Sequence, residues 1–198
     1  MKTKYIRRTV VLAAAVIIAL AAVRMRISAS VQEDLREQVL RFHVRANSDS
    51  AEDQREKLMV RDAVIDYVSP YMEQAETKEE AVEILKEKKE EIRRTAAGVL
   101  ERQGNPRKVE VYFTTESFPE REYGGYTFPA GVYDAVRVDL GEAGGHNWWC
   151  VMFPDLCMTK DEKEKINQEA EEKMKKLLGE ETVKAIQNSR HFSWLLAF

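Results

Sequence analysis

Leu40-Arg41-Phe42-His43-Val44-Arg45-Ala46-Asn47-Ser48-Asp49-Ser50 is the stretch that decides the fold. Leu40, Phe42 and Val44 alternate with Arg41, His43 and Arg45. A period of two is that of a strand, here with one apolar and one basic face. Asn47-Ser48-Asp49-Ser50 stops it, because each of these side chains can accept a hydrogen bond from nearby backbone amides, which suits a turn that caps a helix. The helix is predicted from about residue 51 to 68, with Leu58, Ile65 and Met72 seven apart and Pro70 disturbing its end.

Downstream, Thr77 and Glu80 have capping-box spacing and open a second helix, predicted over about 78–102. Ala81, Leu85, Ile92, Ala96 and Val99 give it an apolar stripe, and Gly104-Asn105-Pro106 ends it. Val109, Val111 and Phe113 alternate with Glu110, Tyr112 and Thr114, a strand. Val132, Asp134, Val136, Val138 and Leu140 share one face of a further strand, opposite Tyr133, Ala135, Arg137 and Asp139. Trp148 to Phe153 is a short apolar run that reads as a buried strand, and the two tryptophans should point to opposite sides of it. The order β-α-α-β-β-β predicts a single α+β domain: a mostly antiparallel sheet of about four strands with two helices packed on it.

The flanks differ from this core. Residues 1–28 hold Lys2, Lys4, Arg7, Arg8, Arg24 and Arg26 and no acid. Setting them aside turns the chain's −3 into 25 basic against 34 acidic side chains, a net −9. That balance speaks against a nucleic-acid binder. Four cations followed by the uncharged run Thr9–Val23 have the form of an export signal. Ala19-Leu20-Ala21 and Ser28-Ala29-Ser30 are candidate cleavage sites, and an uncleaved membrane anchor is the alternative. Val31–Val39 is a polar lead-in compatible with a helix. From Thr159 onward, Glu169–Lys173, Glu171–Lys175 and Glu172–Lys176 are helix-supporting pairs, which reads as a solvated helix interrupted by Gly179. The run Phe192–Phe198 should be buried on the core, a partner or a membrane. The divisions expected are 1–30 signal or anchor, 31–158 core domain and 159–198 charged helical tail.

The chemistry available is sparse. Cys150 and Cys157 are the two cysteines, and an even count in an exported chain suggests a disulfide. So small a loop would contribute on the order of 2–3 kcal/mol. His43, His146 and His191 are the histidines. Cys150 with His43 or His146 and Asn47 could be drawn as a thiol hydrolase, but no local motif supports it. His43, Asp49 and Asp53 are close in sequence, yet Asp49 and Asp53 are explained as a cap and a first-turn charge, so no metal is expected. The glycine pairs lack the spacing of a phosphate loop, and no cofactor or small-molecule substrate is expected. Tyr123–Tyr133 is either a recognition loop or a tight hairpin packed over the sheet.

Three blocks resemble the stage II sporulation protein R family of endospore-forming bacteria. The first is Leu40–Ser50 with Glu52-Asp53-Gln54 and Val60-Arg61-Asp62-Ala63-Val64. The second is Phe118-Pro119, Tyr123-Gly124, Pro129-Ala130-Gly131 and Tyr133. The third is Gly145 followed by Asn147-Trp148-Trp149-Cys150-Val151-Met152-Phe153-Pro154-Asp155-Leu156-Cys157. The similarity covers about residues 38–158, and the tail matches only loosely. The resemblance implies export into the space between forespore and mother cell. There a member triggers a membrane-bound aspartic protease, which cleaves the sigma-E precursor. It implies a signalling ligand with no catalytic residues. Contacts with that protease are expected from Arg41, His43, Asn47, Ser48, Asp49, Tyr123, Gly124, Tyr126, Pro129, Gly131, Tyr133, Asn147, Trp148 and Trp149, since exposed polar turns and aromatics exceed what a core needs. The rival is that these residues only build the fold.

Overall fold

The computed structural model describes residues 2–157 and 168–187. β1 (Leu40–Arg45) forms where the alternation predicts it, but as an interior strand. The sheet is completed by β2 (Val109–Phe118), β5 (Gly131–Leu140) and β6 (Asn147–Phe153) in the order β2-β5-β1-β6. β1 runs parallel to β5, pairing Phe42 with Val136, and antiparallel to β6, pairing His43 with Trp149. β2 is antiparallel to β5. The sheet is therefore mixed, with two antiparallel pairings and one parallel. A small hairpin, β3 (Arg121–Tyr123) and β4 (Tyr126–Phe128), lies between β2 and β5 in sequence. Its two-residue turn is Gly124-Gly125 with φ of 55° and 91°. Both are left-handed, the geometry that matches the twist of adjoining strands and that glycine adopts without a steric penalty.

One face is covered by three helices, α2 (Ala51–Met72), α3 (Lys78–Glu87) and α4 (Lys89–Arg102). Phe42, Val44, Val111, Val136, Val138 and Leu140 meet Val60, Val64, Leu85, Ile92 and Val99 there. The second face also carries a layer, of which the sequence pattern suggested only the hairpin within Tyr123–Tyr133. Val31 and Leu35 of α1 (Lys2–Gln38), Val39 just after it, Met174, Leu178, Val183 and Ile186 of α5 (Gln168–Gln187), and Tyr126 and Phe128 of the hairpin pack on Phe118, Tyr133, Ala135 and Val151. The basic face of β1 is thus largely interior, with Arg41 0% and His43 1% exposed.

Four expectations about the helices change. α2 continues past the expected end to Met72, with Pro70 inside its last turn. Its buried apolar residues are Val60, Val64, Ile65, Val68 and Met72, so of the three residues seven apart Ile65 and Met72 face the core and Leu58 is exposed. The helix expected over 78–102 is two helices. Lys88, at φ −89° and ψ 7°, breaks it so that Ala81 and Leu85, then Ile92 and Ala96, each face the core. The tail helix, expected to be solvated, is amphipathic and docked: Met174 is fully buried, and Gly179 (φ 73°) bends α5 over the second cluster. The Phe192–Phe198 run lies outside the described residues.

α1 is continuous from the cationic end into the core. Val10, Leu12, Ile17, Leu20 and Ile27 are exposed, and the stretch from Val10 is long and apolar enough to cross a membrane, which fits a signal or an anchor. Only its last turns join the domain. There Asp34 accepts from the Thr182 hydroxyl at 2.7 Å, and Lys78 donates to the Arg36 carbonyl at 2.9 Å.

Candidate functional site

The turn after β1 is a junction between distant segments. Ser50 is the N-cap of α2, accepting from the Asp53 amide at 3.1 Å. Asp49, expected as the cap, instead accepts from the His146 amide at 2.6 Å and stands 2.5 Å from its Nδ1. These contacts, the side-chain hydrogen bond foremost, hold Asp49 below its usual range. Asn47 donates to Asp53 Oδ2 at 2.8 Å and accepts from the Glu142 amide at 3.0 Å. The Ser48 hydroxyl donates to the same Asp53 oxygen at 2.5 Å, and Arg107 pairs with Oδ1. Burial alone would push the Asp53 carboxyl up; hydrogen bonds from Ser48, Asn47 and Arg107 outweigh it and hold it well below the ordinary range. Glycines are required opposite. A Cβ at Gly145 would stand 2.2 Å from the Ser48 carbonyl oxygen, and one at Gly141 (φ 58°) 2.2 Å from Asn47 Oδ1.

Arg41 fills a box of rings. Its guanidinium carbon lies 4.6 Å from the Phe118 centroid, 5.1 Å from Tyr133, and 5.8 Å from both Tyr123 and Phe128. Nε donates to the Cys150 carbonyl at 3.1 Å, and Nη2 donates to the Tyr123 hydroxyl at 3.3 Å. Among the described residues no carboxylate pairs with it, and burial lowers its pKa. A desolvated cation over several ring faces gains roughly 2 kcal/mol or more, which helps to offset that burial. The Tyr133 hydroxyl donates to the Pro129 carbonyl at 2.9 Å, and burial raises the phenol to about 12.

His43 stacks on Trp149 at 4.7 Å and meets Phe118 edge-on at 5.3 Å. Burial, with Arg137, Arg45 and Arg41 adding to it, pushes the imidazole down to about 3. Glu116 Oε2 is 3.3 Å from Nε2, but desolvation among three cations decides, and the ring is neutral.

Beyond His43 the second layer ends. The remaining half of that face carries Arg45, Arg137, Asp139, Glu116 and Tyr112, flanked by Asn147 and Trp149. Arg137 pairs with Glu116 and with Asp139 at 3.2 Å, and it covers the Tyr112 ring at 4.5 Å. Arg45 reaches Asp139 at 3.7 Å. A rigid sheet surface displaying Arg, Tyr and Trp side by side has the composition of an interface centre.

The fourteen expected contact residues therefore divide. Asn147 and Trp149 flank this open half and are partly exposed, and Asp49 is exposed at the turn before α2. Arg41, Tyr126 and Tyr133 are interior, as is His43; Asn47, Ser48, Gly124, Pro129 and Gly131 shape turns; and Tyr123 braces the hairpin on Trp149, donating to its carbonyl at 3.1 Å. Trp148 points to the other face, edge-on to Phe42 and under Arg61. Neither tryptophan is fully buried. Arg137, Glu116, Asp139 and Tyr112 were not expected as site residues. Their alternation was readable, but the register that brings β2 and β5 together was not. Cys150 and Cys157 are bonded to each other, Cα atoms 5.6 Å apart. No group of three or more His, Cys, Asp or Glu among the described residues could hold a metal ion.

The model of the family described as stage II sporulation protein R matches residues 36–163, a span holding the sheet, the hairpin, α2 to α4 and the disulfide. The chain belongs to the stage II sporulation protein R family. Stage II sporulation protein R of Bacillus subtilis (strain 168) is 37% identical over 155 residues, covering 75% of this chain and 69% of that relative. No solved structure matches. The family span begins at residue 36, so within the stage II sporulation protein R match α1 contributes only its last turn.

Proposed function

We propose that this chain is an exported sporulation signal that activates a membrane-bound aspartic protease across the space between forespore and mother cell, leading to cleavage of the sigma-E precursor. The observation that carries the reading is the family match over 36–163. The exposed apolar stretch of α1, behind four cations, supports delivery out of the cytoplasm as a cleaved signal or a retained anchor. The ligand acts by binding the protease's active state more tightly than its resting state; equal affinity for both would shift nothing. Asn147, Trp149, Asp49 and the Arg45–Arg137–Tyr112 strip are the surface offered for that contact. A thiol hydrolase would need a Cys150 thiolate, and this sulfur is buried and bonded to Cys157.

The test is a sporulating strain that lacks this gene, probed over time for the sigma-E precursor and its product. The proposal expects the precursor to accumulate uncleaved and the gene to restore cleavage when supplied in the forespore. Cleavage on schedule without the gene would make the protein a binding module with no signalling role.

A further inference from the structure

β6 lies at an edge of the sheet and is unlike the opposite edge. Asn147-Trp-Trp-Cys-Val-Met-Phe153 has no charge, no proline and no glycine, whereas β2 carries Glu110 and Glu116. After Asn147, six consecutive apolar and aromatic residues on a sheet edge are a template for strand-to-strand association. The structure answers this with covers taken from the same chain. The carbonyls of Trp149 and Val151 are two residues apart and so point to one side of the strand. The first accepts from the Tyr123 hydroxyl at 3.1 Å; the second accepts from the Leu156 amide at 3.1 Å and has Cys157 Sγ at 3.0 Å. After Pro154 the chain folds back so that Leu156 packs in the second cluster and Cys157 in the first. Cys157 is fastened to Cys150 in the middle of the strand it covers.

We propose that the Cys150–Cys157 disulfide is an oxidation-set latch that holds residues 154–157 over the β6 edge, so that the edge is closed only after the chain leaves a reducing compartment. Closure is a thiol–disulfide exchange. A disulfide oxidoreductase gives up its own S–S bond and takes two electrons from Cys150 and Cys157. It leaves as the dithiol with their two protons, and the new S–S bond forms in this chain. With both thiols reduced, 154–157 loses its covalent tie to the strand and keeps only non-covalent ones, the Leu156 amide and the Cys157 thiol on the Val151 carbonyl among them, so the edge can open and pair with a second copy. The latch rests on the export reading for its timing, not for its geometry.

The full chain in detergent micelles tests it, oxidised and then reduced with dithiothreitol. Hydrogen exchange is followed at the Leu156 amide and at residues 60–64 of α2, and the protein mass is followed by light scattering. The latch predicts that reduction speeds exchange at Leu156 at least tenfold, leaves residues 60–64 protected and shifts the protein toward dimers or larger species. The Cys150→Ala/Cys157→Ala variant should do the same without reductant. Unchanged Leu156 exchange and mass would overturn it. So would loss of protection at residues 60–64 in both reduced protein and variant, since the bond would then be a staple of the whole fold. A gene-deletion strain that still cleaves the precursor would remove the signalling reading while leaving these outcomes untouched.

Discussion

His43 shows how a buried residue can look like a site. In the sequence it belongs to a basic strand face; in the structure it is clamped between Trp149 and Phe118 and kept neutral down to about pH 3. The unfolded chain takes up this proton near its ordinary value, about 6.5. A base with a depressed folded pKa contributes its full stability above 6.5 and loses it as pH falls toward 3. Between about pH 6.5 and 4.5, before the carboxylates that hold Asp53-type contacts begin to titrate, unfolding free energy should fall by up to about 1.4 kcal/mol per pH unit. His43→Phe should flatten that slope in urea titrations run across the same window. An unchanged slope would show that the ring is protonated in the fold. Arg41 teaches the same lesson, since nothing in Leu40–Arg45 signals that its guanidinium is enclosed by rings from β2, β3, β4 and β5.

Turn chemistry was the most legible part of the elements. Asn47–Ser50 was readable as a stop and cap, and Thr77 does cap α3, accepting from the Glu80 amide at 3.2 Å. What it faces was not readable, because the loop Gly141–His146 lies about a hundred residues away and only the fold brings it there. Gly145→Ala tests that junction. The added methyl meets the Ser48 carbonyl, a backbone atom that cannot swing aside. The cost should be about 1–3 kcal/mol, the usual range for overpacking, measured by denaturant unfolding. Ser50→Ala should cost about 1 kcal/mol through loss of the α2 cap. The Lys88 break escaped the sequence because residues 78–102 contain no proline, and their single glycine, Gly98, lies elsewhere. Only the need to aim two short apolar stripes at one sheet accounts for it.

For the whole molecule, the α+β class and its four main strands were legible from periodicity. Of the second layer only the hairpin was, because the layer is assembled from three remote pieces: the end of α1, the hairpin and α5. α1 therefore has two roles that divide within the helix. Among the described side chains of residues 1–28 none is buried, so removing this segment should leave the melting temperature unchanged. Removing residues 1–38 takes Val31, Leu35 and the Asp34–Thr182 bond with it. That should lower Tm by at least several degrees, since burying each such side chain stabilises by about 1.5–3 kcal/mol. Equal melting of the two truncated chains would show that α1 does not belong to the core.

The central claim is that the domain signals from outside the cytoplasm in which it is made. The direct measurement is sigma-E precursor cleavage in a strain lacking the gene, complemented from the forespore by the full chain or by a chain without residues 1–28. The account predicts that the full chain restores cleavage, and that the shortened chain, folded and present in equal amount, does not. Cleavage restored equally by both, or by neither, would contradict it.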